Sequence, residues 1–170
     1  QKGYTVLSQE ADHDVKLQND QIDNMVTQGA KALIIIAEDG DAAATAVDKA
    51  TQAGVRVIAY DPFITRERAA QLGVELMALD DVLRQADVIT VHTPLTEETR
   101  GMIGAREIAR MRDHVYLINC ARGGIYDEQS LCDGLRSGKI TGAGIDVYSS
   151  EPPRSDLLKQ LLALDNVVAT

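Results

Sequence analysis

Cysteine and histidine are scarce in this chain of 170 residues. Its two cysteines, Cys120 and Cys132, cannot build a disulfide framework, and the three histidines at positions 13, 92 and 114 are scattered. Neither residue type offers the clustered spacing of a metal site. We therefore expect no bound metal and two reduced thiols, which is typical of a cytoplasmic protein.

Positive charge is also in short supply. Lysine and arginine number 17 against 26 acidic residues, and the net charge is −9. Nucleic acids and anionic membranes bind basic surfaces, so the balance argues against both partners. The sequence contains no run of about 18 apolar residues, so it predicts no membrane span. The opening residues lack the apolar core of a signal peptide.

A regular alternation of strand-like and helix-like segments is what the sequence does contain. Several strand candidates are nearly continuous in Val, Ile and Leu, which is typical of strands buried on both faces. They lie at residues 4–9, 32–37, 55–61, 73–77, 87–93, 114–120, 140–146 and 166–170. The alternation predicts a doubly wound parallel α/β sheet, a Rossmann-like or flavodoxin-like three-layer sandwich, in a single domain over residues 1–170.

Glycine and aspartate mark the ends of the predicted helices. A glycine just past a helix supplies a left-handed residue, and an aspartate before a helix accepts from its free amides. Helices 17–28, 41–53 and 127–137 are followed by Gly29, Gly54 and Gly138, and the predicted N-caps are Asp41, Asp80 and Asp127.

Four motifs in the second part of the chain carry a family resemblance. They are GVRVIAYDP (54–62), DVITVHTPLTEETRGMIG (87–104), LINCARGGIYDE (117–128) and AGIDVYSSEPP (143–153). In this order, over residues 54–170, they resemble the nicotinamide domain of the D-2-hydroxy-acid dehydrogenases, and most of all the 3-phosphoglycerate dehydrogenases. The resemblance implies an NAD-binding Rossmann domain.

A second resemblance covers the first third. The stretches QIDNMVTQGAKALII and AAATAVDKATQAGVRVIAYD are similar to the first lobe of periplasmic sugar-binding proteins of the ribose and xylose type. Together the two resemblances predict an engineered chimera, with a sugar-binding half at 1–61 and a dehydrogenase half at 62–170. A natural protein with a divergent first half is the alternative.

The predicted phosphate-binding segment is poorly suited to NAD. A Rossmann domain places Gly-x-Gly-x-x-Gly after its first strand, so that the backbone can approach the pyrophosphate. Here residues 38–43 contain one glycine and three carboxylates. We therefore expect NAD to bind weakly or not at all.

Seven residues match cofactor-contacting positions of the family. They are Asp61, Thr93, Pro94, Cys120, Ala121, Arg122 and Asp146. Asp61 either accepts from ribose hydroxyls or forms a turn before Pro62. The neighbouring His92 is interpreted as a strand-end histidine that a backbone group satisfies.

Arg122 and Glu151 match two members of the family's catalytic trio. The resemblance implies that the arginine holds the substrate's carboxylate and that the glutamate orients a proton-carrying histidine. That histidine follows the last strand of the family in a Thr-Pro-His motif, which the three histidines of this sequence do not match. Arg122 and Glu151 are therefore predicted to be vestigial.

The function predicted from these features is a stable α/β scaffold without a completed catalytic or sugar-binding site. The alternatives are an NAD-binding fragment of a D-2-hydroxy-acid dehydrogenase and a sugar-binding module. If both halves kept their parental topology, strands 4–9 and 114–120 would claim the same place in the sheet. We therefore expect strand 4–9 to be displaced or exchanged with a second chain in a homodimer.

Overall fold

The structure is a computed structural model that describes residues 47–150 and 152–169. Several predictions fall outside these residues: strands 4–9 and 32–37, helix 17–28, the phosphate-binding segment 38–43, the caps Asp41 and Gly29, and Glu151. The chain divides into two units at the boundary between Met77 and Ala78, and each unit is described by itself.

Short elements make up the described part of the first unit. Residues 47–52 are helical, and the turn after them ends at Gly54, whose φ of +80° is the predicted left-handed conformation. Strand β1 (Ile58–Ala59), helix α1 (Arg66–Gln71) and strand β2 (Glu75–Leu76) follow. The two strands pair in parallel, and each is shorter than the sequence pattern predicted.

The second unit contains a four-stranded parallel sheet in the order β3-β4-β5-β6. The strands within residues 87–93 and 114–120 pair in parallel, and the predicted Rossmann-like parallel α/β fold class is confirmed. The elements are α2 (Leu79–Gln85), β3 (Val88–Val91), α3 (Ala105–Arg110), β4 (Val115–Asn119), α4 (Glu128–Ser137), β5 (Ile140–Ile145), α5 (Asp156–Leu162) and β6 (Val167–Ala169).

One face of this sheet forms the core and the other is partly open. Residues that alternate along the strands are buried, among them Ile89 and Leu117, and helix α4 packs against β5. On the opposite face, Val88, Tyr116 and Val168 are 53%, 47% and 50% exposed. The prediction that the apolar strands are buried on both faces is therefore wrong for these residues, because the core lies on the face of their neighbours along each strand, Ile89, Leu117 and Val167.

Helix ends in the second unit confirm two predicted caps and correct a third. The Asp127 carboxylate accepts a hydrogen bond from the amide of Ser130 at 2.8 Å, and α4 ends at Gly138 with φ +79°. The prediction for Asp80 is wrong, because Ala78 is the N-cap of α2. Asp80 lies inside the first turn, where a carboxylate favours the positive end of the helix dipole, and its side chain pairs with Arg84 and Arg110.

Both cysteines are free, but only Cys132 is a core residue. Cys120 is partly exposed because it lies just beyond the end of β4. Among residues 47–150 and 152–169, no group of histidine, cysteine and acidic side chains is placed to hold a metal ion. In the same residues, no helix has the length and apolar character to cross a membrane.

Candidate functional site

The carboxyl ends of β3 and β4 meet at one edge of the sheet, because their last residues, Val91 and Asn119, are paired. Open α/β sheets bind their ligands beyond such ends. An open cleft lies there, lined by the three residues that follow each strand: His92, Thr93, Pro94, Cys120, Ala121 and Arg122. The structure thus brings together five predicted cofactor contacts, all except Asp61 and Asp146.

Arg122 gives the cleft a permanent positive charge. Its side chain is exposed, and its Nη1 donates a hydrogen bond to the carbonyl of Ala121 at 2.6 Å. A guanidinium carries five N–H donors in a planar fork, so this one bond leaves the rest of the fork able to bind a carboxylate. In a protein with a net charge of −9, Arg122 therefore places a local positive charge at this edge of the sheet.

The two glycines after Arg122 serve packing and backbone geometry. A Cβ on Gly123 would overlap the backbone oxygen of Tyr148, so only glycine allows this approach between the two loops. Gly124 has a φ of +86°, which favours glycine for a different reason. The double glycine therefore fixes the loop that carries Arg122, where the sequence alone suggests a flexible segment.

Asn119 is the functional residue that sequence reasoning missed. Its side chain is buried, with 5% exposed, at the end of β4. Its Oδ1 accepts from the amide of Ala121 at 3.1 Å, and its Nδ2 donates to the carbonyl of Arg122 at 3.0 Å. An asparagine that closes an apolar strand just before a loop is the signal that could have found it, because Asn favours bonds to nearby backbone.

The opposite wall of the cleft is built from polar residues after β3. His92 is exposed, and its Nε2 lies 3.0 Å from the hydroxyl of Thr90. The partner is thus a side chain, whereas the sequence interpretation named a backbone group. The carbonyl of Pro94 accepts from the hydroxyl of Thr99 at 2.6 Å, and this bond holds the loop after the cleft.

Cys120 and Asp146 lie near each other where β4 and β5 end. The backbone amide of Asp146 donates to the carbonyl of Asn119 at 3.0 Å, so the predicted contact Asp146 follows the strand next to the cleft. Burial raises the pKa of the Cys120 thiol, and the negative charge of Asp146 adds to this effect. Cys120 is therefore a neutral thiol at physiological pH rather than a reactive thiolate.

Asp61 follows β1 in the first unit, where its Oδ1 accepts from the amide of Phe63 at 2.8 Å. This bond is the turn-forming role that the sequence left open for Asp61. Its contact with a ribose stays a prediction.

Glu151 lies outside the described residues, and its interpretation as a vestigial member of the catalytic trio also stays a prediction. The loop that leads to it is anchored two residues earlier, because the amide of Ser149 donates to Glu128 Oε1 at 3.2 Å. Glu128 is the first residue of α4, which follows the loop of Arg122. The segments after β4 and β5 are therefore joined by a side chain as well as by the close packing at Gly123.

A parallel α/β sheet with a polar cleft at the carboxyl ends of its strands defines the class of Rossmann-like nucleotide-binding proteins. The sequence matches the family described as D-isomer specific 2-hydroxyacid dehydrogenase, NAD binding domain, over residues 7–170. The chain belongs to this family.

Similar proteins agree with this assignment. The chain is 50% identical over 116 residues to D-3-phosphoglycerate dehydrogenase of Archaeoglobus fulgidus, which covers 68% of the chain and 22% of that relative. It is 45% identical over 117 residues to hydroxypyruvate reductase of Thermotoga maritima, covering 69% of the chain and 37% of the relative. The chain thus spans about a fifth to two fifths of the length of these relatives.

Solved structures show the same fold. The NAD-complexed D-isomer specific 2-hydroxyacid dehydrogenase of Lactobacillus delbrueckii ssp. bulgaricus superposes with a TM-score of 0.66 at 32% identity, over 77% of this chain and 43% of that one. D-Lactate dehydrogenase of Aquifex aeolicus, complexed with NAD and lactic acid, gives a TM-score of 0.67 at 28% identity, over 90% of this chain and 54% of that one.

These comparisons lend no support to a sugar-binding origin for residues 1–61. The family match begins at residue 7 and so runs through most of the segment that the sequence interpretation gave to a sugar-binding lobe. The chimera and its engineered origin therefore remain an unsupported interpretation, and the NAD-binding fragment is the better supported alternative.

Proposed function

We propose that this chain is the NAD-binding part of a D-2-hydroxyacid dehydrogenase, of the type that acts on 3-phosphoglycerate. The observation that carries the proposal is the cleft beyond β3 and β4, which gathers Thr93, Pro94, Cys120, Ala121 and Arg122. The 50% identity to a D-3-phosphoglycerate dehydrogenase supports the substrate class.

The cleft suits the nicotinamide end of the cofactor. Cys120 and Ala121 offer a small, largely apolar surface for the ring, and the neutral thiol adds no charge beneath it. Thr93 and Pro94 form the wall on which the attached ribose would lie. Asp146, at the end of the adjacent strand, would accept from the carboxamide. NAD, when bound, supplies the acceptor for the hydride of the substrate.

Arg122 would hold the substrate next to that ring. Its fork binds a carboxylate with two parallel hydrogen bonds, and a fixed carboxylate orients the neighbouring carbon that loses hydride. Glu151 is proposed to orient the proton-carrying histidine, as the family resemblance implies. Neither His92 nor His114, the histidines of the described residues, matches the motif of that histidine.

Residues 38–43 argue that the affinity for NAD is low. Their three carboxylates would repel a pyrophosphate, and the backbone cradle has a single glycine. We therefore propose a dissociation constant of roughly a millimolar. Asp61 is proposed to accept from a ribose hydroxyl with the oxygen that the Phe63 amide does not use.

An NMR titration of the ¹⁵N-labelled chain with NAD tests this function. We expect saturable shifts of the amides of Thr93, Cys120 and Ala121, and an affinity that Arg122→Ala weakens by roughly fivefold. Arg84→Ala is the matched control, because Arg84 is an exposed arginine on α2 whose side chain pairs with Asp80 and Asp81. Shifts confined to residues outside the cleft would contradict the proposal.

The homodimer is a further proposal that rests on the family resemblance. Nicotinamide domains of the family pair through the region that matches residues 94–112, which includes α3 (Ala105–Arg110). Sedimentation equilibrium would report a mass of twice 18.4 kDa if the proposal is right, and a mass of 18.4 kDa would contradict it.

A further inference from the structure

Asn119 closes the loop that carries Arg122 from both sides. The acceptor and the donor of its amide bind two different peptide groups, the amide of Ala121 and the carbonyl of Arg122, at 3.1 and 3.0 Å. Bonds at both peptides fix the backbone on either side of the Ala121–Arg122 link. The direction in which the side chain of Arg122 leaves the backbone is thereby fixed as well.

The side chain that makes these bonds is itself held firmly. Asn119 is paired with Val91 on one side and with Ile145 on the other, and its carbonyl accepts from the amide of Asp146 at 3.0 Å. With 5% of its surface exposed, water competes little for its amide group. The loop therefore inherits the rigidity of the centre of the sheet.

The far end of the loop has a second anchor. Gly123 packs so closely on the backbone oxygen of Tyr148 that no side chain would fit between them. Arg122 thus lies between two fixed points, the amide of Asn119 and the packed backbone of Gly123. Of these two, Asn119 is the one whose side chain bonds to the peptide groups on either side of the Ala121–Arg122 link.

We propose that Asn119 is a positioning residue, which holds the loop Cys120–Arg122 in the shape that receives the nicotinamide end of NAD. This inference rests on the proposed function. Asn119 itself lies behind the cleft lining and reaches the ligand only through the loop. Its contribution should therefore depend on both ends of its amide, the acceptor and the donor.

Two substitutions separate these ends. Asn119→Ala removes both hydrogen bonds. Asn119→Asp keeps the acceptor for the amide of Ala121 but turns an oxygen toward the carbonyl of Arg122, which a carboxylate repels. A protonated aspartic acid restores the donor, and burial raises the pKa of a carboxyl group, so the aspartate variant should recover as the pH falls.

Asn166 provides a matched control. It is a half-buried asparagine whose Nδ2 donates to the carbonyl of Leu135 at 3.3 Å, at the end of α4 and away from the cleft residues. Asn166→Ala therefore removes a bond of the same kind with no connection to Arg122. Any loss of ligand affinity in Asn166→Ala therefore measures the general cost of removing a partly buried asparagine from this fold.

The experiment compares two ligands on each variant by NMR titration. NAD contains the nicotinamide, and ADP-ribose is the same molecule without it. We expect Asn119→Ala to weaken NAD binding by roughly tenfold and to change ADP-ribose binding by less than about twofold. Asn166→Ala should change neither the affinity for NAD nor the affinity for ADP-ribose. Asn119→Asp should lose NAD affinity at pH 8 and regain most of it at about pH 5.

The wild-type chain measured at the same pH values corrects for His92, Cys120, Arg122 and Asp146, the ionisable groups around the loop. An equal loss for NAD and ADP-ribose in Asn119→Ala would overturn the inference, because it would show a general structural effect. Unchanged NAD binding would overturn it too. If the wild-type chain binds neither ligand, the proposed function fails and the inference falls with it.

Discussion

The loops after β1 and after β4 begin in the same way and are built differently. Each opens with a polar side chain that accepts a hydrogen bond from the backbone amide two residues later. Asp61 accepts from the amide of Phe63, and Asn119 accepts from the amide of Ala121. Asn119 is buried and also donates to the loop, whereas a carboxylate such as Asp61 only accepts.

The surroundings of the two loops differ as much as their first residues. After β4, a buried amide holds the loop at Ala121 and Arg122, and close backbone packing holds it at Gly123. After β1, a strand of two residues leads to Phe63, which is 92% exposed. The same type of turn is therefore held by buried contacts in the second unit, whereas in the first unit it leads to an exposed side chain.

Core truncation should show the largest difference between the two regions. Leu117 of β4 is 1% exposed, and Leu117→Ala is expected to lower the free energy of unfolding by about 3 kcal/mol, through lost burial and a cavity. Phe63→Ala should change it by less than about 0.5 kcal/mol, because the ring is already in water. Urea unfolding measures both, and equal losses would contradict the comparison.

Glycine replacement should have the next largest effect. In Gly123→Ala the new methyl group meets the backbone oxygen of Tyr148, which cannot move aside as a side-chain tip would. We expect a loss of about 2 kcal/mol or more. Gly54→Ala is the control, since its φ of +80° imposes strain of about 1 kcal/mol but the space around it is open. A larger loss at Gly54 would show that packing at Gly123 is unimportant.

The sequence predicted the alternation of strands and helices in the second unit because apolar runs and glycine boundaries are local signals. The family resemblance named five residues that the structure places in the cleft, and these residues share one edge because they follow neighbouring parallel strands. The N-cap prediction failed for Asp80, because an acidic residue is favourable both at the N-cap and in the first turn of a helix.

Asn119 and Gly123 show what the sequence could not reveal. The bonds of Asn119 depend on the path of the loop back toward its own strand, and the contact of Gly123 depends on a segment 25 residues further along the chain. The exposed face at Val88 and Tyr116 has the same origin. The burial of a strand depends on which helices cover it, and the amino-acid composition of the strand does not reveal those helices.

Helix caps allow a finer comparison between the units. Asp127 accepts from Ser130 at the start of the ten-residue helix α4, and Asp127→Ala should cost about 1 kcal/mol of stability. Thr65 accepts from Arg68 at the longer distance of 3.2 Å, in front of a six-residue exposed helix. Thr65→Ala should cost about 0.5 kcal/mol in the same unfolding assay. A greater loss for Thr65 would contradict this ranking.

Ion pairs should give the smallest difference. In the first unit, Arg56 and Glu75 are 2.7 Å apart, and both side chains are more than half exposed. In the second, Lys139 lies 2.8 Å from Asp113, and its ammonium also donates to the carbonyl of Met111 at 2.6 Å. Only 24% of the Lys139 side chain is exposed, so burial and the bond to Met111 restrict its position independently of Asp113. Pairs that need less ordering of their side chains contribute more.

Protonation of Asp113 tests this difference. The hydrogen bond from Lys139, followed by its positive charge, holds the pKa of Asp113 below its ordinary value. The pair therefore stabilises the fold above that ordinary value, and the stabilisation is lost as the pH falls through the lowered pKa. Asp113→Asn should lower the Tm at pH 7, by less than the loss of the Asp127 cap, and this difference should vanish as the pH falls through the lowered pKa. Glu75→Gln should lower the Tm at pH 7 by less still, and a larger shift there would show that exposure does not rank the two pairs.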